Sequence, residues 1–299
     1  MRAFLSILLL CAGSILTAAI LAYPTWLLIE TFSEQPIHRV LHRIAMAGVL
    51  VGLIWLFRRW RLVNRRSSGF GLSRREFLLQ LGTGIVSGSL VILPLLMTLQ
   101  LLDVRVADPR VTVTAGLIIT VVVKGLLTGL VVSTIEEVFF RGLLFSAVER
   151  ESGRTTAIFL CSLFYASVHF LGGRLHVPAD QITWSSGFDV LGRMFIAYAR
   201  PLAIADSFFA LFAVGLLLTL VRIRTGAVAA CIGLHAAWVC ALYYFEVTTQ
   251  FNPESRASWM VGSYDNFVGW GTVGWMIAMA SIYVSVARTT RSPSTSPAR

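Results

Sequence analysis

The sequence predicts an all-α protein, a polytopic transmembrane helix bundle of about eight spans. Three observations predict it. Hydrophobic residues make up 56% of the 299 and charged residues only 13%, roughly half the charged share of a soluble domain. Mean hydropathy is +0.76. The apolar residues also gather into runs of about the 20 residues that a helix needs to cross a bilayer.

Those runs fall near 4–28, 41–57, 77–102, 112–135, 156–172, 206–221, 226–245 and 267–287. The first has only Arg2 in front and is too long for the apolar region of a signal peptide, so it reads as a retained helix. The fourth passes into 135–148 with no proline or turn cluster, so the helix is expected to continue there. The polar turn ESGR at 151–154 makes the fourth and fifth spans antiparallel, and a second turn near 222–226 precedes the seventh. The stretch 174–201 carries Trp184, Phe188, Phe195 and Tyr198 among polar residues. It reads as an extramembrane connector, or as a segment lying along the interface and gating substrate. The tail RTTRSPSTSPAR is low in complexity and expected to be disordered. These boundaries divide the chain into N-terminal transmembrane helices over 1–110, a core over 111–245, a loop and last helix over 246–287, and a disordered cytoplasmic tail over 288–299.

The formal charge of +10 arises from 24 arginines and one lysine against 15 acids. In a chain this apolar such an excess reports topology rather than nucleic-acid binding. Alternating spans put 58–76, 149–155, 222–225 and the tail on the side of the N-terminus, which then holds 15 arginines against eight opposite. The positive-inside rule places both termini in the cytoplasm, and an even span count agrees with both lying on one side. The four cysteines (Cys11, Cys161, Cys231 and Cys240) lie in apolar runs without CxxC spacing and read as small buried hydrophobes.

Few ionisable groups fall inside the spans: Lys124, Glu136, Glu137, Arg141, His169 and His235, with Asp206 and Glu246 at span ends. A carboxylate at the centre of a membrane helix costs about 2.5–3.5 kcal/mol by insertion scales, so each calls for an account. Glu137 and Arg141 stand at i and i+4, one helical face, where an internal ion pair satisfies both. Glu136 is rotated about 100° from Glu137 and faces elsewhere. It lies as far before the ESGR turn as His169 lies after it. On antiparallel helices rising ~1.5 Å per residue, equal arms bring two residues to one depth. His235 follows the next hairpin, so a carboxylate and two imidazoles can converge inside the bundle. The blander reading makes each histidine an interhelical hydrogen-bond former, and Tyr165 and Trp238 plain packing.

EExxxR at Glu136, Glu137 and Arg141, an aromatic-xxx-His at Tyr165 to His169, and a later helical His235 resemble the motifs of the CAAX protease and bacteriocin-processing family. That family comprises intramembrane endopeptidases and includes the eukaryotic type II CAAX prenyl endopeptidase. The resemblance covers roughly 120–245 and makes 111–245 the expected catalytic core. It implies that Glu136 activates water with help from His169, that His235 stabilises the oxyanion, and that Glu137 and Arg141 hold the helix arrangement. It further implies a membrane-anchored peptide or protein substrate, no nucleic acid, and a multi-pass protein of the bacterial inner membrane. The chemistry is sound: burial raises a carboxylate's basicity, and an imidazole can steady an oxyanion in a dry site.

The chain departs from the family pattern twice. Tyr165 replaces the usual phenylalanine, and HAAWV puts Val239 where the third motif has an asparagine. Trp238, or Asn266 from the 246–266 loop, could supply the missing donor. Metal is a fork: Glu136, His169 and His235 could hold zinc with one position open. No HExxH occurs, however, and the better-studied family members are metal-independent glutamate proteases, so no cofactor is expected. Three function classes stay open: intramembrane peptidase, non-catalytic binding or immunity-type protein on the same fold, and small-solute transporter. The last expects inverted repeats, which the sequence does not display.

Overall fold

A computed structural model describes residues 1–172, 175 and 177–289. Among the described residues ten α-helices account for nearly all of the regular structure: α1 (Arg2–Glu30), α2 (Ile37–Arg59), α3 (Arg74–Leu101), α4 (Ala115–Glu137), α5 (Phe145–Ser152), α6 (Arg154–Val168), α7 (Ser186–Met194), α8 (Pro201–Thr225), α9 (Ala229–Thr248) and α10 (Trp270–Thr289). Strands among the described residues are confined to β1 (Arg105–Ala107) and β2 (Thr249–Phe251), paired antiparallel. Six of the described helices are long and apolar enough to cross a membrane, counting α4 to α5 as one, and two shorter apolar ones, Arg154–Val168 and Trp270–Val286, match the remaining predicted runs. An all-α polytopic bundle is thus the fold.

One local expectation needs correction. The fifth run, expected over 156–172, is helical only to Val168, and His169 is its C-cap. The connecting stretch 174–201 contains α7 and two 3₁₀ turns, Ala179–Gln181 and Ile196–Ala199. Part of that stretch, residues 174 and 176, lies outside the described residues, as does the tail from 290 onward.

Contacts divide the chain into two compact units. The first joins Met1–Leu72 with Glu136–Ala205. In it α1 and α2 form a hairpin whose meeting faces set small residues against branched ones, Ala18, Ala19 and Ala22 against Ile37, Val40 and Leu41. α7 packs onto the same cluster through Val190 and Met194. The second unit joins Ser73–Ile135 with Asp206–Arg299 and is built around α9. There α3 presents Gly84 and Gly88, and α4 presents Gly125 and Gly129, to the backbone of α9. A Cβ on Gly84 would lie 2.4 Å from the Ala230 carbonyl oxygen, and one on Gly129 would lie 2.6 Å from that of Ala236. Both pairs have the small-xxx-small spacing that lets membrane helices approach closely, where dispersion rather than hydrophobic expulsion drives association. The indoles of Trp238 and Trp275 then donate to backbone carbonyls of α3, at Gly88 (3.1 Å) and Val91 (2.8 Å).

Candidate active site

The helix carrying the two glutamates changes hydrogen-bond register just after them. Residues Val138–Leu144 form a π-helical segment between α4 and α5, a rare arrangement that recurs at functional sites. The sequence predicts continuous helix here and carries no proline or glycine over 130–137, the two turns before the change, so the π register is invisible to it. The segment is braced from one side by the strap after α2. Gly142 lies so close to Ser68 that a Cβ would come within 2.6 Å of its carbonyl oxygen. One turn further Ser146 Oγ donates to the Ser67 carbonyl at 3.0 Å, and after another turn Arg150 Nη1 donates to the Trp60 carbonyl at 3.1 Å. Gly142, Ser146 and Arg150 thus form a polar, narrow stripe that receives the strap.

Glu137 and Arg141 form an ion pair with Oε1 to Nη1 at 3.0 Å, and their side chains are 0% and 1% exposed. The guanidinium lies 4.4 Å from the ring centroid of Tyr165 on α6. Phe140 meets that ring edge-on at 5.2 Å. Tyr165, read from sequence as packing, is therefore the platform on which the arginine rests, and cation–π contact of this desolvated kind contributes about 2 kcal/mol. The pair and the ring together fasten the π segment to α6. Glu136 is half-buried and lies within electrostatic range of Tyr165.

His169 sits where α6 stops. Its Nδ1 is 2.7 Å from the Tyr165 carbonyl oxygen, and the two rings meet at a tilt of 59° with centroids 4.5 Å apart. Tyr165 is among the last four helical residues, whose carbonyls have no partner within the helix. A carbonyl only accepts, so Nδ1 carries the proton, and in the neutral ring Nε2 keeps its lone pair. That is the tautomer a proton acceptor needs. The Tyr198 hydroxyl donates to the neighbouring Ser167 carbonyl, and the Gly172 N–H donates to the Met194 carbonyl at 3.1 Å. The α7 region therefore ties down the helix end that presents His169, a role its sequence did not disclose.

His235 belongs to the second unit, while Glu136, Glu137, Arg141 and His169 belong to the first. It is 7% exposed on α9, one residue from Ala236, which meets Gly129. Val239, one turn on, is half-buried. The suggestion that Trp238 replaces the missing amide is corrected here, because its single N–H is engaged by the Gly88 carbonyl. Asn266 takes a left-handed backbone conformation, φ 58°, and its N–H bonds to Gly262 within its own loop. Among the described residues no three His, Cys, Asp or Glu side chains could hold a metal ion between them. Sequence reasoning also passed over Arg105. It is 5% exposed, donates to Thr249 Oγ1 and to the Thr249 carbonyl, and lies 3.9 Å over the Phe267 ring. It locks the β1–β2 pair to the loop before α10.

The helices define an integral membrane protein, and the glutamate–arginine pair beside a helix-end histidine follows the motif pattern of a membrane-embedded protease. Residues 117–241 match the family model of the type II CAAX prenyl endopeptidase, Rce1-like. Over that segment, less than half of the 299 residues, the chain is similar to that family. No curated protein and no solved structure matches it.

Proposed function

We propose that this protein hydrolyses a peptide bond of a membrane-anchored protein or peptide, using water activated by Glu136 with His169, without a metal. Glu136 takes the proton from water as it attacks the scissile carbonyl. His169, with Nε2 as acceptor, shares that proton and passes it to the leaving amine. His235 takes the oxyanion role that the third motif implies. Residues 111–245 serve as the catalytic core, and both termini face the cytoplasm. One observation carries the reading: of two adjacent glutamates, Glu137 is wholly buried in an ion pair stacked on Tyr165, and Glu136 is only half-buried. One acid has a structural task and its neighbour a different environment.

A second reading, a non-catalytic binding or immunity-type protein, draws on Val239 and on the engagement of Trp238 with Gly88, so that neither residue stands beside His235 as a second oxyanion donor. The two readings separate in one experiment. Purified protein in liposomes is incubated with a panel of membrane-anchored peptides, with and without EDTA or phenanthroline, and products are read by mass spectrometry. Cleavage that persists with chelator supports the proposal. Activity lost to chelator and restored by zinc moves Glu136, His169 and His235 from acid–base roles to ligation. No cleavage of any peptide favours the second reading.

A further inference from the structure

The arginine-rich end of the first unit holds a cavity of about 310 Å³ at the start of α1, bounded by Arg2, Ser6, Trp60, Arg150 and Glu151. Volumes of this order are those of small-ligand sites. Three features define what it would take.

Its charge is positive. Glu151 is the only acid lining it, and both of its oxygens accept backbone N–H groups of the first turn of α1, from Arg2 at 2.8 Å and Ala3 at 2.7 Å. That carboxylate therefore serves as a helix cap, leaving two guanidiniums, from α1 and α5, to face a ligand. Arg150 is oriented by its bond from Nη1 to the Trp60 carbonyl, and a guanidinium has five donors, so most of its fork remains for an oxyanion.

The surroundings deepen that field. Trp60 stands among Arg58, Arg59, Arg61, Arg65 and Arg66. Arg61 occupies φ 56° immediately after the C-cap of α2, a left-handed position that glycine ordinarily fills. An arginine there carries backbone strain with no packing return, since the residue is exposed, and it adds a further cation to the run that surrounds Trp60 in sequence.

The surface next to the cavity is apolar and outward-facing. Leu5 and Leu9 on α1 are 56% and 64% exposed, and Val63 on the strap is 60% exposed. A free phosphate has no use for such a border, whereas a lipid places its chains against one. Basic pockets between transmembrane helices at the positively charged face bind anionic headgroups in this manner, and an indole at the rim suits the interface.

We infer that this cavity binds the phosphate headgroup of an anionic phospholipid, with Arg2 and Arg150 as its ligands. Because Arg150 lies in α5, which continues directly from the π segment that follows Glu136 and Glu137, an occupied cavity would also steady that segment against the strap. The inference stands apart from the proteolytic reading and does not require it.

The full chain in a neutral detergent tests it by thermal unfolding, with dihexanoyl-phosphatidylglycerol, dihexanoyl-phosphatidylcholine or inorganic phosphate at equal concentrations. The phosphatidylglycerol should raise the midpoint and the phosphatidylcholine should not. Arg2→Gln with Arg150→Gln should weaken the apparent affinity at least about tenfold, as loss of charge-assisted bonds to one phosphate does. Arg65→Gln with Arg66→Gln, which removes equal charge outside the cavity, should leave it within about twofold. If the first double variant does not fold, Arg2→Gln alone, which spares the Arg150–Trp60 bond, should show the loss. Equal weakening by both double variants would overturn the site in favour of a diffuse field. A shift by inorganic phosphate matching that of phosphatidylglycerol would overturn the lipid, and no shift by either would overturn the inference whole.

Discussion

Replacing Glu137 by glutamine would leave the Arg141 guanidinium, 1% exposed, facing a neutral amide in place of its counter-ion. Removing one member of a buried pair destabilises by about 3–5 kcal/mol, because the remaining charge stays desolvated. The stack on Tyr165 at 4.4 Å persists but cannot replace an anion. For a chain of this size each kcal/mol lowers the unfolding midpoint by about 2–4 °C, so Glu137→Gln should fall by roughly 6–20 °C. The joint variant Glu137→Leu with Arg141→Met removes both charges at similar volume and should recover most of the loss. Thermal denaturation in detergent, run as a double-mutant cycle, measures the coupling directly. A single variant that melts within about 1 °C of the parent, or a joint variant that melts no higher than the single one, would refute this reasoning.

The ring under the arginine makes a related prediction: Tyr165→Phe should keep stability within about 1 kcal/mol, whereas Tyr165→Leu should lose about 2 kcal/mol more, read by the same melts. Gly88→Leu should abolish folded protein on size-exclusion chromatography, since even a Cβ there would sit 2.8 Å from Leu234 Cα. Val239→Asn puts a donor one turn after His235 and should raise turnover by roughly 10²-fold or more with little change in KM, as a donor used only in the transition state does. Unchanged turnover in folded Val239→Asn protein would mean that another group already serves the oxyanion.

What was legible in the sequence follows from the range of each interaction. Hydropathy is a property of single residues, so the apolar runs at 4–28, 41–57 and 77–102 coincide with helices to within a few residues at most ends. The pairing of Glu137 with Arg141 depends on i,i+4 spacing, which a helix fixes locally. The π register of Val138–Leu144 leaves no compositional mark, because it arises from hydrogen-bond choice under tertiary packing. The stack of Arg141 on Tyr165 joins two helices and cannot be read from either. The end of α6 at Val168 depends on the imidazole and the Tyr198 hydroxyl taking carbonyls that the helix leaves open. The glycine pairs GIVSG and GLLTG are different: their spacing is plain in the sequence, and only a hydropathy reading passes over them.

The account rests on Glu136 being the base while its neighbour is structural. The direct measurement is the cleavage rate of a membrane-anchored peptide by Glu136→Gln and parent protein, prepared alike, with the melting midpoint of each. Loss of the base should lower the rate by about 10²–10⁴-fold while the midpoint stays within about 2 °C. A Glu136→Gln protein that cleaves at the parental rate would contradict the claim outright, and one that loses stability as deeply as Glu137→Gln would erase the division between the two glutamates.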